Sequence, residues 1–165
     1  MEGTRVGLFH VPILKRENVE LPHAEIESYI RKAFSDFGAY TSYYDHKFNE
    51  ELLKAIPYRE EMLGQMYSMC VDLLKSRGAG SDMWKGRRVR PWVSLYTEGE
   101  SHTLHNHPKA VVAGTYYPYA DRDSVDIRFK NPSSNLIQMT DHWIDGNSPE
   151  LWHFHSPRTG HMLSL

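Results

Sequence analysis

The sequence predicts an α+β protein, mainly β, in which helices come first and an antiparallel sandwich or barrel follows. Apolar residues recur every three to four positions up to about residue 76, which is typical of helices. From Val89 onward they alternate with polar residues in short runs separated by turn residues, which is typical of strands. The 165 residues fit a single domain, 1–165, with a strand and helices in 1–86 and a β core in 87–165.

Three helices are predicted in the first part, after a short opening strand over residues 5–14. Each has an apolar face at helical spacing, and the segments are residues 22–37, 49–55 and 58–76. Gly38 and Gly78 follow the first and third helices as stop signals. Cys70, the only cysteine, lies on the apolar face of the third helix and is predicted to be a small buried hydrophobe.

Short strands separated by turns are predicted in the second part. They are residues 92–96, 111–119, 125–129, 136–140, 151–155 and 161–165. Trp92 is predicted to pack in the core. The apolar strand pattern still runs at Leu165, which predicts that the chain is cut within a strand. An interrupted barrel would expose a strand edge, so pairing with a second chain as a homodimer is one expectation.

Composition excludes several classes of function. The net charge is -2 and no basic stripe is present, so no nucleic-acid partner is expected. No apolar run is long enough for a membrane span and no secretory leader is recognised, so no membrane partner is expected. A single cysteine excludes a disulfide framework and fits a reducing compartment. The predicted location is therefore cytoplasmic.

A His-x-His pair, His105 and His107, is the candidate functional motif. Two imidazoles at this spacing on an extended strand point to the same face and can reach one metal ion, such as iron, zinc or copper. The alternative is a pair of surface histidines in a loop. Seven of the ten histidines follow residue 100, in the part predicted to be β: His102, His105, His107, His142, His153, His155 and His161.

Several motifs resemble those of the 2-oxoglutarate/Fe(II)-dependent oxygenases of bacteria and marine phages. The strand Trp92–Tyr96 leads to a turn at Glu98-Gly99, then to His105-Asn106-His107-Pro108 and to Ala113–Tyr117. These are similar, in the same order, to the family's W-V-N strand, K-G turn, H-x-H-P motif and S-G-x-Y-Y motif, with Ser94, Glu98 and Ala113 in place of the family's residues. Three further segments are similar to the family, namely residues 8–13, 127–132 and 157–165.

The resemblance implies a double-stranded β-helix core of the jelly-roll or cupin-like type, with N-terminal helices packed on one sheet. It implies Fe(II) at one mouth of the barrel, 2-oxoglutarate as the chelating cosubstrate and O₂ as the oxidant. The family's usual ligands are His-x-Asp/Glu and a distant histidine, and its distal motif would fall just after Leu165. His105 and His107 are therefore the predicted catalytic metal ligands. His161 is the predicted third ligand, with His153 and His155 as alternatives.

Candidate roles can also be given to other residues of the predicted β core. Tyr117, on the strand after the pair, could donate to a carboxylate of 2-oxoglutarate, and core packing is its alternative. Tyr116 points to the opposite face and is the expected packing residue. Arg128 could hold a carboxylate bidentately, or it could be solvated. Asp141-His142 could supply an acidic ligand or cap a turn.

These observations favour a non-haem Fe(II), 2-oxoglutarate-dependent hydroxylase whose substrate, peptidyl or small-molecule, is unknown. A second hypothesis is a cupin-like metal-dependent dioxygenase with three histidines and no cosubstrate. A third is a metal-free jelly-roll binding or structural module, because function depends on sites and not on the fold.

Overall fold

The computed structural model describes residues 11–38, 41–132 and 152–165. Three α-helices occupy the first part: α1 (His23–Phe37), α2 (His46–Ala55) and α3 (Arg59–Ser76). A single 3₁₀ turn follows at Ser81–Met83. The predicted helices are confirmed, and Gly38 ends α1 in the left-handed conformation with φ 73°.

Helix α2 begins three residues earlier than predicted, because its cap is Asp45 and not Asn49. The Asp45 carboxylate accepts a hydrogen bond of 2.9 Å from the backbone N–H of Phe48. The Asn49 side chain instead donates to the Pro91 carbonyl at 3.2 Å. Asn49 therefore ties the helix to the segment that precedes Trp92.

Within the described residues, five short strands form two antiparallel sheets. They are β1 (Leu14–Arg16), β2 (Gly114–Tyr116), β3 (Ile127–Lys130), β4 (Trp152–His155) and β5 (Met162–Ser164). One sheet has the order β1-β5-β2 and the other pairs β3 with β4. Leu163 of the central strand lies opposite Lys15 and Thr115.

The described residues hold more helix than the predicted mainly-β class implies. The helices have 15, 10 and 18 residues, whereas each strand has three or four. The class is therefore a mixture of helices and small antiparallel sheets, and the double-stranded β-helix core stays a prediction. The opening strand, predicted over 5–14, is observed at Leu14–Arg16, and residues 1–10 lie outside the described ranges.

The predicted strand at 92–96 is wrong, because side-chain hydroxyls replace the expected ladder. The Val93 N–H donates to the Ser42 hydroxyl at 2.9 Å, and its carbonyl accepts from the Ser42 N–H at 2.9 Å. Among the described residues, the one contact of sheet geometry there is an isolated bridge between Thr41 and Ser94. The predicted strand 136–140 lies outside the described residues, as does Asp141-His142.

The core lies between the helices and the three-stranded sheet. One buried cluster joins the three helices: Ile26, Ile30, Phe34, Phe48, Leu52, Ile56 and Met62. In a second cluster, Met69 of α3 packs with Val19 and with Met162 of β5. Tyr116 packs against both clusters, as expected for the packing residue of its strand. Helix α3 thus packs on the sheet that carries β2 and β5.

Two further features of the helices bear on function. Cys70 is half-buried, and burial raises the pKa of its thiol, so the thiol stays protonated at neutral pH. Within the described ranges, none of the helices combines the length and the apolar character that crossing a bilayer requires.

Candidate metal centre

The His-x-His pair lies in an irregular segment between Ser94 and β2, not on the strand that its spacing suggested. Turns shape this segment. The Glu100 carboxylate accepts a hydrogen bond of 2.6 Å from the Thr97 N–H, and the Ala110 N–H donates to the His107 carbonyl at 3.1 Å. Local turn contacts therefore position the two imidazoles, in place of a β ladder.

Three imidazoles, His102, His105 and His107, form a cluster that we call the surface histidine group. The rings of His102 and His105 are stacked with their centres 4.4 Å apart. The rings of His105 and His107 meet edge to face at 4.8 Å. The structure thus brings the predicted pair together and adds His102. The sequence contains a signal for His102, since it lies only three residues before His105.

The backbone selects the tautomer of His105. Its Nδ1 lies 2.8 Å from the carbonyl oxygen of Thr103. Because a carbonyl oxygen only accepts hydrogen bonds, Nδ1 carries the proton and Nε2 keeps its lone pair. This is the arrangement in which metal-binding histidines usually occur, with one ring nitrogen bonded to a carbonyl and the other free for the ion. His105 is exposed, so its Nε2 is accessible.

His107 is the more sheltered member of the pair. It is half-buried against Trp92, and the two ring centres are 5.5 Å apart. Burial lowers the pKa of His107, and the neighbouring His105 and His102 lower it further. The ring is therefore neutral at pH 7, which is the form that binds metals.

Trp92 does not lie in the buried core, contrary to the prediction. It is half-buried, meets the ring of Tyr43 edge to face at 5.2 Å and is not part of the helical core cluster. The Tyr43 ring in turn meets that of Tyr44 at 5.0 Å, and 51% and 74% of these tyrosines are exposed. An exposed aromatic surface therefore adjoins His107.

His161 lies beside His155, and we call these two the strand histidine pair. The Nδ1 of His161 is 3.3 Å from the Nε2 of His155. Both line a polar cleft of about 600 Å³ with Lys15, Glu17 and Arg158. Within residues 11–38, 41–132 and 152–165, no three His, Cys, Asp or Glu side chains are grouped so that they could hold a metal ion. The structure therefore does not place His161 with His105 and His107 in such a group.

The predicted cosubstrate residues lie at strands of two different sheets. Tyr117 directly follows β2, and its N–H donates to the His161 carbonyl at 2.9 Å. Burial raises the pKa of Tyr117, so its hydroxyl remains a donor. Arg128 of β3 is exposed, and its guanidinium lies 5.4 Å from the ring centre of Phe154 on the paired strand. Binding of 2-oxoglutarate by Tyr117 and Arg128 stays a prediction.

Tyr116 also has a polar partner on helix α1. Tyr116 packs in the core clusters, and its hydroxyl lies 2.6 Å from the Nδ1 of His23. Burial raises the pKa of Tyr116 to about 12. His153, the other alternative ligand, is exposed and stacks on Phe129 with ring centres 6.3 Å apart.

Comparison with known proteins adds one finding. Residues 90–163 match the model of a family described as "Putative 2OG-Fe(II) oxygenase". No curated protein matches the chain. The matched residues include the surface histidine group, the strand histidine pair, Tyr117 and Arg128. This segment of the chain is therefore similar to the 2OG-Fe(II) oxygenase family.

Proposed function

We propose that the protein is a non-haem Fe(II)- and 2-oxoglutarate-dependent oxygenase. The contact between His105 and His107, with ring centres 4.8 Å apart inside the segment that matches the oxygenase family, is the observation that carries the proposal. The substrate, whether a small molecule or a peptidyl residue, is unknown.

The donor chemistry of the two imidazoles fits iron in part. The Nε2 of His105 has a free lone pair, and His107 is neutral at pH 7. Non-haem iron oxygenases use three protein donors and leave positions open for cosubstrate and oxygen. His102 stacks on His105, yet within the described residues no three His, Cys, Asp or Glu side chains are grouped so that they could hold a metal ion. The residues present thus account for two of the three protein ligands.

The residues around the pair have roles that do not depend on the third ligand. Bound Fe(II) and 2-oxoglutarate would supply the oxidising chemistry, as cofactors do in general. The Thr103 carbonyl keeps the proton on Nδ1 of His105, and Trp92 shelters one side of His107. We further propose that the Tyr117 hydroxyl and the Arg128 guanidinium bind the carboxylates of 2-oxoglutarate, which an arginine can do bidentately.

An anaerobic titration with Fe(II) and then 2-oxoglutarate tests the proposal. The iron chelate of 2-oxoglutarate has a visible charge-transfer band, which should appear with the native chain and disappear with His105→Ala. His46→Ala is the matched control, because His46 is an exposed histidine at the start of α2. The control should keep the band.

Other outcomes identify the alternatives. Metal binding without a 2-oxoglutarate band would contradict the cosubstrate and favour a cupin-like dioxygenase. Binding of neither Fe(II) nor 2-oxoglutarate would overturn the assignment and leave a metal-free binding module. A band that persists in His105→Ala and also in His107→Ala would show that the chelate lies elsewhere.

A further inference from the structure

The strand histidine pair lies at the two ends of a tightly bonded turn between β4 and β5. His155 ends β4, and His161 comes directly before β5. The Gly160 N–H donates to the Tyr117 carbonyl at 2.8 Å, and the Gly160 carbonyl accepts from the Val19 N–H at 3.0 Å. The His161 backbone bonds to Tyr117 on the same edge at 2.9 Å. The turn thus holds the two imidazoles at a fixed separation without help from a ligand.

This separation suits a shared metal ion. Two imidazole nitrogens at the zinc–nitrogen distance and at a tetrahedral angle lie about 3.3 Å apart, and the two ring centres then lie about 5.2 Å apart. The observed values are 3.3 Å between Nδ1 of His161 and Nε2 of His155, and 5.3 Å between the ring centres. The two nitrogens also lie within hydrogen-bonding distance, although their separation exceeds the value of about 2.9–3.0 Å that is most common for N–H···O bonds.

The surroundings favour a borderline transition metal over a hard cation. His161 is only 7% exposed, and the cleft that it lines with His155 is the side from which a ligand can approach the pair. The cleft beside the pair contains one carboxylate, Glu17, which pairs with Lys15 at 2.5 Å. Calcium and magnesium require several oxygen ligands, whereas zinc and copper bind imidazole readily. Lys15 and Arg158 line the same cleft, and their positive charges oppose any cation, so binding there depends on the two imidazole nitrogens.

We propose that His155 and His161 bind one divalent transition-metal ion of the zinc type, separate from the site at His105 and His107. Water, or the Glu17 carboxylate released from Lys15, would complete the coordination. The ion would join the end of β4 to the start of β5 and so connect the two sheets. This inference does not depend on the proposed oxygenase function.

Titration with Zn(II) in a chain that carries His105→Ala and His107→Ala tests the second site alone. We expect one zinc ion per chain, measured by calorimetry. We also expect ring ¹⁵N shifts at Nε2 of His155 and Nδ1 of His161, measured by NMR with labelled histidine. His155→Gln should weaken the affinity at least tenfold, because a metal ligand is lost. His153→Gln is the matched control, since His153 is an exposed histidine on the same strand.

Further variants check the zinc site at the second histidine and define the results that would overturn it. The zinc titration of His161→Gln repeats the test at the more buried histidine of the pair. His155 is half-buried, so the circular dichroism spectrum of His155→Gln checks that this variant still folds. Unchanged zinc affinity in folded His155→Gln would overturn the proposal and leave an imidazole–imidazole hydrogen bond only. Loss of affinity in His153→Gln alone would also overturn it. A failed oxygenase test with a positive zinc test would separate the two proposals.

Discussion

The two groups of histidines differ in how the chain holds them. The surface histidine group lies on an irregular segment, where His105 is exposed and turns supply the backbone contacts. The strand histidine pair lies beside the central strand β5, where His161 is 7% exposed and backbone bonds to Val19 and Tyr117 hold the turn. The first arrangement leaves nitrogen lone pairs accessible to ligands from solvent. The second is rigid and sheltered, which suits a structural ion better than turnover.

The largest expected effect on stability comes from replacing a leucine that lies near each histidine group. Leu163 of β5 is 2% exposed, whereas Leu104, between His102 and His105, is 64% exposed. Leu163→Ala should lower the free energy of unfolding by about 2–5 kcal/mol, because it leaves a cavity. Leu104→Ala should change that free energy by less than about 0.5 kcal/mol. Urea denaturation measures both, and equal effects would contradict the contrast in burial.

A smaller effect is expected from one glycine near each group, Gly99 before His102 and Gly160 between His155 and His161. Gly160 has φ 82° and Gly99 has φ 84°, and an added Cβ at Gly160 would lie 3.0 Å from Nε2 of His23. Both alanine variants introduce left-handed strain of about 1–2 kcal/mol. Gly160→Ala should be the more destabilising, because the His23 ring is held by its 2.6 Å contact with the Tyr116 hydroxyl.

The thermal midpoints of the two glycine variants measure this difference. Nothing lies within 4 Å of a Cβ built at Gly99, so that variant reports backbone strain alone. If Gly99→Ala were as destabilising as Gly160→Ala, the contact with His23 would have no energetic consequence.

The smallest effect is a dependence of stability on pH. Burial lowers the pKa of His107, His155 and His161 in the folded chain. The unfolded chain, with an ordinary histidine pKa of about 6.5, then binds more protons below that pH. Stability should therefore be complete above about pH 6.5 and should decrease as the pH falls below it. His107→Gln, His155→Gln and His161→Gln should each reduce this dependence.

Urea midpoints near pH 7.5 and near pH 5.5, with a chelator present, measure the pH dependence. The expected midpoint is higher at the higher pH. A midpoint that rises on acidification would contradict the direction assigned to these pKa values.

Sequence patterns predicted the helices well because the signals are local. Apolar spacing and Gly38 located α1, and the same spacing located α3 within one residue. The histidine spacing identified His105 and His107, although a loop and not a strand brings their rings together. The sequence patterns overestimate the lengths of the strands. In the 92–96 segment, for example, the Val93 N–H donates to the Ser42 hydroxyl and not to a neighbouring strand.

The contact between His155 and His161 could not be predicted from spacing alone. The residues between them, 156–160, form the predicted turn, yet the flanking strands pair with different partners. β4 pairs with β3, whereas β5 inserts between β1 and β2. Such long-range pairing depends on the whole chain and has no local signal in the sequence. The sequence therefore predicts His161 as a third iron ligand, whereas the structure places it beside His155.

Release of succinate from 2-oxoglutarate tests the central claim most directly. With Fe(II), O₂ and 2-oxoglutarate but no added substrate, the native chain should release succinate faster than a protein-free mixture. His107→Ala should abolish this release while the exposed-histidine control His46→Ala retains it. Equal release by the native chain and His107→Ala, or none from the native chain, would contradict the account.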